Sequence, residues 1–131
     1  MSKLRILLAD DNKQVLEYVR EFLTANGFEI IGTAADGQSV VEAVAQLLPD
    51  ILILDISMPV LNGIRAARRV LELNLPIKIV FLTALNDPET CRAAMETGAF
   101  CYVLKLRLAS DLIPAIESAK DGRRFVSPGC E

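Results

Sequence analysis

Histidine and tryptophan are absent from the 131 residues, cysteine occurs three times, and aromatic side chains make up 5%. Without histidine, Ser-His-Asp and Cys-His activation of a nucleophile is excluded, and so is the commonest zinc ligand. Cys91, Cys101 and Cys130 contain no C-x-x-C pair, and an odd count argues against a closed disulfide framework. They read as two small apolar residues and one tail thiol, which suits a reducing compartment. Long hydrophobic runs are also lacking. The longest stretch without a charged residue is nine, residues 56–64, so neither a membrane span nor a secretory hydrophobic region is expected, and the setting predicted is cytoplasmic. Nor is there an excess of positive charge: 14 basic against 17 acidic residues leave a net charge of −3, unlike the basic footprint of a self-sufficient nucleic-acid binder.

What is present is aliphatic. Hydrophobic residues reach 52% and charged ones 24%, enough for one globular domain that folds without a metal or disulfide staple. Residues 5–9, 28–33, 51–54, 78–82 and 100–104 are short, mostly continuous apolar runs, as expected of parallel strands covered on both faces. Helical periodicity separates them. Val15, Leu16, Val19, Phe22 and Leu23 mark a first helix ending at Asn26-Gly27. A second helix is predicted over about Gln38–Leu48 before Pro49, and a third through Ile64, Ala67 and Leu71 before Asn74. Asp87-Pro88 reads as a cap and first-turn proline, opening a helix that closes at Gly98. Ser110 is the expected cap of the fifth helix, although Pro114 would delete an early hydrogen bond there. Five strand-then-helix repeats joined by short connections predict a doubly wound α/β fold: a five-stranded parallel sheet with helices on both faces.

Such sheets bind ligands outside the carboxyl ends of their strands. Strand one ends at Asp10-Asp11, strand three at Asp55, strand four at Thr83 and strand five at Lys105. Each residue has an ordinary structural use: Asp11 or Asn12 as a helix cap, Asp55 as a strand-end polar group, Thr83 as a turn hydroxyl, Lys105 as a solvated amine. Jointly they are harder to dismiss. Three carboxylates at one edge, about 4 Å apart at an effective dielectric of ~20, repel by about 4 kcal/mol per pair. Such a cluster calls for a cation, and oxygen ligands without histidine or paired thiols point to magnesium, with manganese also fitting. A divalent ion and an ammonium together neutralise a phosphoryl group bonded to one carboxylate, and a hydroxyl donates a hydrogen bond to it. Asp55 is the natural acceptor, because it stands alone after a central apolar strand, whereas Asp10 and Asp11 suit metal holding.

The set Asp10-Asp11, Asp55 with Met58-Pro59 and Gly63, Phe81-Leu82-Thr83-Ala84, and Tyr102-Val103-Leu104-Lys105 resembles the receiver domain of two-component response regulators. The resemblance spans residues 3 to about 122. The stretch from Gly98-Ala99 to Lys105 and the ending Gly122-Arg123-Arg124-Phe125-Val126-Ser127-Pro128 look most like the NarL/FixJ (LuxR-type output) subgroup. It implies a CheY-like, flavodoxin-like fold in which Asp55 accepts a phosphoryl group from a histidine kinase. Magnesium would be held by Asp10, Asp11, Asp55 and the backbone carbonyl of Ser57, while Thr83 and Lys105 sense the phosphate. Ala84 would leave room for the donor. Tyr102 matches the aromatic switch position, whose side chain turns inward when the threonine moves toward the phosphate; an amphipathic aromatic with its hydroxyl at the surface is compatible with that role. Many receivers follow this lysine with a cis proline. Here Leu106 follows, so a trans bond and a different loop over 105–109 are expected.

Residues 1–122 are thus expected to form the receiver, and 123–131, with too few apolar groups to pack as a further element, the start of a linker to a helix-turn-helix output domain not in this chain. DNA would be contacted only through that output. The domain would act as a phosphoacceptor switch rather than an enzyme, with a sensor kinase as partner, a phosphorylation-dependent homodimer as an assembly, and no membrane contact. Two alternatives stand beside it: a stand-alone or phosphorylation-independent interaction module, and a magnesium-dependent aspartyl-phosphate hydrolase. The hydrolase would need a second acid two residues after its nucleophile, where this sequence has Ser57.

Overall fold

The chain's computed structural model describes residues 3–130. Its strands are β1 (Arg5–Ala9), β2 (Glu29–Ala34), β3 (Ile51–Leu54), β4 (Lys78–Thr83), β5 (Cys101–Leu104) and β6 (Phe125–Val126). All neighbours run parallel, in the order β2-β1-β3-β4-β5-β6. The helices are α1 (Lys13–Ala25), α2 (Gly37–Leu47), α3 (Gly63–Glu72), α4 (Pro88–Glu96) and α5 (Leu108–Lys120). Alternate strand residues point to opposite faces, and both faces are covered. Ile6, Leu8, Ile53, Val80 and Val103 pack against Val19 and Leu23 of α1 and Leu112 and Ile116 of α5. Leu7, Leu52, Leu54, Ile79 and Phe81 face Val40, Val44, Ala66, Val70 and Ala94 of α2, α3 and α4. The continuous apolar character of β3 and of residues 79–82 in β4 follows from this two-sided burial.

Local chemistry starts four of the helices. The side chains of Asn12, Asp36, Asn62 and Asp87 accept backbone N–H bonds from the first turns of α1, α2, α3 and α4, supplying partners for donors the helix itself cannot satisfy. The fifth helix departs from expectation. It begins at Leu108, directly after a 3-10 turn over Lys105–Arg107, and has no side-chain cap. Ser110 lies within the first turn, where its hydroxyl donates to Arg107 O and to Asp111 Oδ1. No cis peptide occurs among the described residues, and the trans Lys105–Leu106 bond lets the turn run straight into the helix. Pro114 then falls inside α5, where its missing N–H removes one bond to the carbonyl of Ser110.

The tail also packs, contrary to the expectation of too few apolar groups. Phe125 and Val126 pair with Cys101 and Tyr102, covering the edge that β5 would otherwise leave open. Ser127 is fully buried. Its hydroxyl donates to Asp111 Oδ2 at 2.8 Å and accepts from Leu104 N at 3.1 Å, so a polar residue anchors what apolar area alone would not. Beyond it, Cys130 is disulfide-bonded to Cys91 of α4. The reading of three unpaired thiols is therefore corrected. The two cysteines lie 39 residues apart, with no local motif, and meet because β6 carries the tail back to α4.

Asp111 holds this tail through charge. Burial opposes its ionisation, but bonds from Arg107, Ser127 and Ser110 outweigh that and hold the carboxyl below the ordinary range. A depressed pKa contributes stability above the unfolded value and loses it as pH falls through the folded one. The unfolding midpoint in urea should therefore drop more steeply below about pH 4 in the wild type than in Asp111→Asn; parallel pH curves for the two proteins would contradict this.

Candidate functional site

β1 and β3 are neighbours at the centre of the sheet, while α1 and α3 leave on opposite faces. This opens a crevice at the carboxyl edge, the topological switch point of such sheets. Backbone bonds set its floor: Asp10 N donates to Ala34 O at 3.0 Å and Asp55 N to Ala9 O at 2.9 Å. Asp10 and Asp55 are almost wholly buried, whereas Asp11 is exposed at the mouth. One carboxylate oxygen from each of the three lies within 4.8 Å of the others.

Lys105, brought from the end of β5, places Nζ 2.7 Å from Asp10 Oδ2 and 3.2 Å from Asp55 Oδ2. The remaining oxygens accept backbone bonds, Asp10 Oδ1 from Asn12 N at 2.9 Å and Asp55 Oδ1 from Ile56 N at 2.7 Å. Burial raises the Asp10 pKa, a shift reinforced by the charge of Asp55 and opposed by the bonds from Lys105 and Asn12. Burial alone would lower the pKa of Lys105, but the two carboxylates reverse this and keep the ammonium charged. Among the described residues, Lys105 is thus the one cation paired with a site that carries three acids.

The loop after Asp55 is built by close backbone approach. Gly63 N donates to Ile56 O at 2.8 Å, and a Cβ on Gly63 would lie 2.0 Å from Asp55 O. Ser57 is exposed on this bend, and Val60 projects at its tip in the left-handed region, φ 69°. Ser57 thus sits at the same edge as the carboxylates, two residues beyond Asp55.

Thr83 is buried at the end of β4, with Ala84 exposed beside it. Thr83 Oγ1 accepts from Leu85 N at 3.4 Å, so its hydrogen bond runs along its own loop and not to the acids. Tyr102 does not place its hydroxyl at the surface. It is fully buried, its ring 6.1 Å from that of Phe81, and its hydroxyl donates to Leu85 O at 2.6 Å. Burial, and then the charges of Asp87 and Asp55, push its pKa up to about 12. Leu85 therefore joins Thr83 to Tyr102 through its own backbone. Sequence reasoning missed this residue because a backbone link leaves no side-chain signature.

Beside this geometry, residues 6–117 match the response regulator receiver domain family. The chain belongs to that family. It is 39% identical over 115 residues to the transcriptional regulatory protein PdtaR of Mycobacterium tuberculosis, covering 88% of this chain and 56% of that protein. The chain thus spans about half the length of this curated relative. Among solved structures, a LuxR-family two-component response regulator from Aurantimonas sp. SI85-9A1 superposes with a TM-score of 0.92 at 31% identity, covering 97% of this chain and 91% of that one. The receiver domain of the putative response regulator NarL from M. tuberculosis gives 0.87 at 27%, covering 94% and 100%. The receiver is a signalling domain, and LuxR/NarL-type regulators are among its close structural neighbours. Among the described residues, no helix is long and apolar enough to cross a membrane.

Proposed function

We propose that Asp55 accepts a phosphoryl group from a sensor histidine kinase in a magnesium-dependent reaction, and that the change passes through Thr83, Lys105 and Tyr102 to an output. The observation that carries this reading is the buried Asp55 carboxylate, with Lys105 Nζ at 3.2 Å and oxygens of Asp10 and Asp11 within 4.8 Å. Hard oxygen donors without nitrogen or sulfur suit magnesium, and manganese as a substitute. Asp10, Asp11, Asp55 and the Ser57 carbonyl would hold the ion, which when bound supplies positive charge against the phosphoryl oxygens.

The residues do the rest. An Asp55 oxygen forms the new P–O bond as the P–N bond to the donor histidine breaks; that nitrogen keeps the electron pair and later takes a proton. Lys105 follows the charge, moving from Asp10 toward the phosphoryl oxygens. Ala84 leaves the approach open. Thr83 donates its hydroxyl to a phosphoryl oxygen, giving up its bond with Leu85 N, and the shift of residues 83–85 reaches Tyr102 through the Leu85 carbonyl. Activation is a change in population between two packings of α4, β5 and α5.

Acetyl phosphate with magnesium is expected to label the chain at residue 55, as mapped by mass spectrometry. Absence of label would instead support a phosphorylation-independent interaction module, and label elsewhere would make another residue the acceptor. Magnesium at millimolar concentration should also raise the melting temperature, since a ligand of the native state alone stabilises it. Asp10→Asn with Asp11→Asn should remove most of that rise; an undiminished rise would place the ion elsewhere.

The output we infer is transcription, through a helix-turn-helix module connected beyond the packed tail, since PdtaR is named a transcriptional regulator and the Aurantimonas protein belongs to the LuxR family. The setting proposed is cytoplasmic, and DNA is contacted through the output alone. Response regulators of this type interact with sensor kinases and can dimerise; here the homodimer is proposed to depend on phosphorylation. Beryllofluoride with magnesium, which imitates the phosphoryl group, should shift backbone NMR signals of residues 84–106 and raise the dimer fraction in sedimentation equilibrium. Thr83→Ala should still take label but lose most of both responses; full responses in that variant would remove Thr83 from the relay.

A further inference from the structure

The C-terminal segment is held at two places on opposite faces of the sheet. On one side Ser127 binds Asp111 of α5 and the backbone of Leu104. On the other, Cys130 joins Cys91 of α4, with both cysteines buried and their Cα atoms 6.0 Å apart, inside the ordinary range for a bridge. Between these anchors Pro128 and Gly129 are exposed. The first anchor consists of hydrogen bonds and persists whatever the redox state. The second is covalent, and only a change in the cysteines opens or closes it.

We propose that Cys91 and Cys130 are a reversible thiol–disulfide modification site that latches residues 125–130 to α4, and that its reaction partner is a low-molecular-weight disulfide of the glutathione class. This proposal does not rest on phosphorylation of Asp55. In the oxidising direction the Cys130 thiolate attacks one sulfur of the small disulfide, forming a mixed disulfide and releasing one small thiolate. The Cys91 thiolate then attacks Cys130 Sγ, the protein bridge forms, and the second small thiolate leaves. Two protein thiols are oxidised, one disulfide is reduced to two thiols, and the two protons end on the released thiolates. Glutathione thiol reverses both steps.

Position argues for Cys130 as the first to react. It lies just past the exposed Pro128-Gly129 pair, on a segment whose two-residue strand and single polar anchor make local opening easy, whereas Cys91 is fixed in the body of α4. Cys101 stands apart. It belongs to the opposite core cluster, its thiol donates to Ala115 O, and burial pushes its pKa up to about 11. In a reducing compartment, disulfides that do form are usually transient or redox-sensing, and a two-point tail with one switchable point has that character.

The test uses the wild-type chain equilibrated in glutathione buffers of graded ratio. After alkylation and trypsin digestion without reduction, peptides 79–92 and 125–131 should appear joined at oxidising ratios and separate at reducing ones, and the joined form should disappear on return to reducing buffer. Backbone amide exchange over residues 125–130 should be about fivefold slower in the oxidised form. Cys130→Ser should exchange at the reduced rate in every buffer, and Cys101→Ser should behave as wild type. A bridge that never forms, one that glutathione does not reverse, or equal exchange rates in the two forms would overturn the latch.

Discussion

Asp55→Asn is expected to abolish labelling by acetyl phosphate, with an initial rate lower by roughly 10³-fold or more, as when a nucleophile is deleted outright. The substitution is nearly isosteric, and its side-chain oxygen can still accept the bond from Ile56 N that now ends on Asp55 Oδ1. It also removes one of three mutually repelling acids while Lys105 keeps Asp10 as a partner at 2.7 Å. Without magnesium the variant should therefore melt at or above the wild-type temperature, which separates loss of the nucleophile from loss of the fold. Intact-mass measurement of the label beside a thermal scan makes the comparison. Labelling at an undiminished rate would mean that another group, such as Asp10 or Asp11, is the acceptor.

Gly63→Ala should be the most damaging single methyl in the loop that carries Asp55. Its Cβ would lie 2.0 Å from the carbonyl oxygen of Asp55 and 2.7 Å from the Cα of Ile56. Both are backbone atoms, so no side chain can rotate aside, and either α3 or the phosphoacceptor loop must shift. Overpacking of this kind costs about 3 kcal/mol, and the movement falls on the residue that proposes to do the chemistry. Urea unfolding should show the loss, together with slower labelling at Asp55. Gly27→Ala is the control: it too breaks a glycine, at φ 89°, but meets nothing within 4 Å and should cost about 1 kcal/mol for backbone conformation alone. Equal midpoints for the two variants would show that the α3 entry relaxes freely.

Much of the architecture is legible because its causes are local. Continuous apolar runs mark β1, β3 and β4, because both their faces are covered, and Asp87-Pro88 marks the entry of α4 through a cap and a tolerated proline. Asp10, Asp11, Asp55 and Lys105 are grouped by the sequence alone, since parallel strands deliver their carboxyl ends to one edge, and the structure brings these four side chains together. The start of α5 was less legible. Ser110 has the chemistry of a cap, but the turn over Lys105–Arg107 begins the helix earlier, and such a choice depends on how the loop leaves β5.

Other features depend on residues far apart in the chain, and no local pattern announces them. β6 is two residues long and too short for periodicity; it exists because β5 offers an open edge and because Asp111, sixteen residues away, makes burial of Ser127 favourable. Cys91 and Cys130, 39 residues apart, meet where that strand carries the tail back to α4. The buried position of Tyr102 depends on Phe81 and the Leu85 carbonyl, which supply partners for its ring and its hydroxyl. The amino-acid sequence by itself determined the alternation of strands and helices and the acids at their ends, because periodicity, capping and chain direction act within a few residues. Tertiary structure alone decided the sixth strand, the inward tyrosine and the two anchors of the tail, because a hydrogen bond or bridge across long sequence separations forms only where the completed sheet has brought its partners into reach.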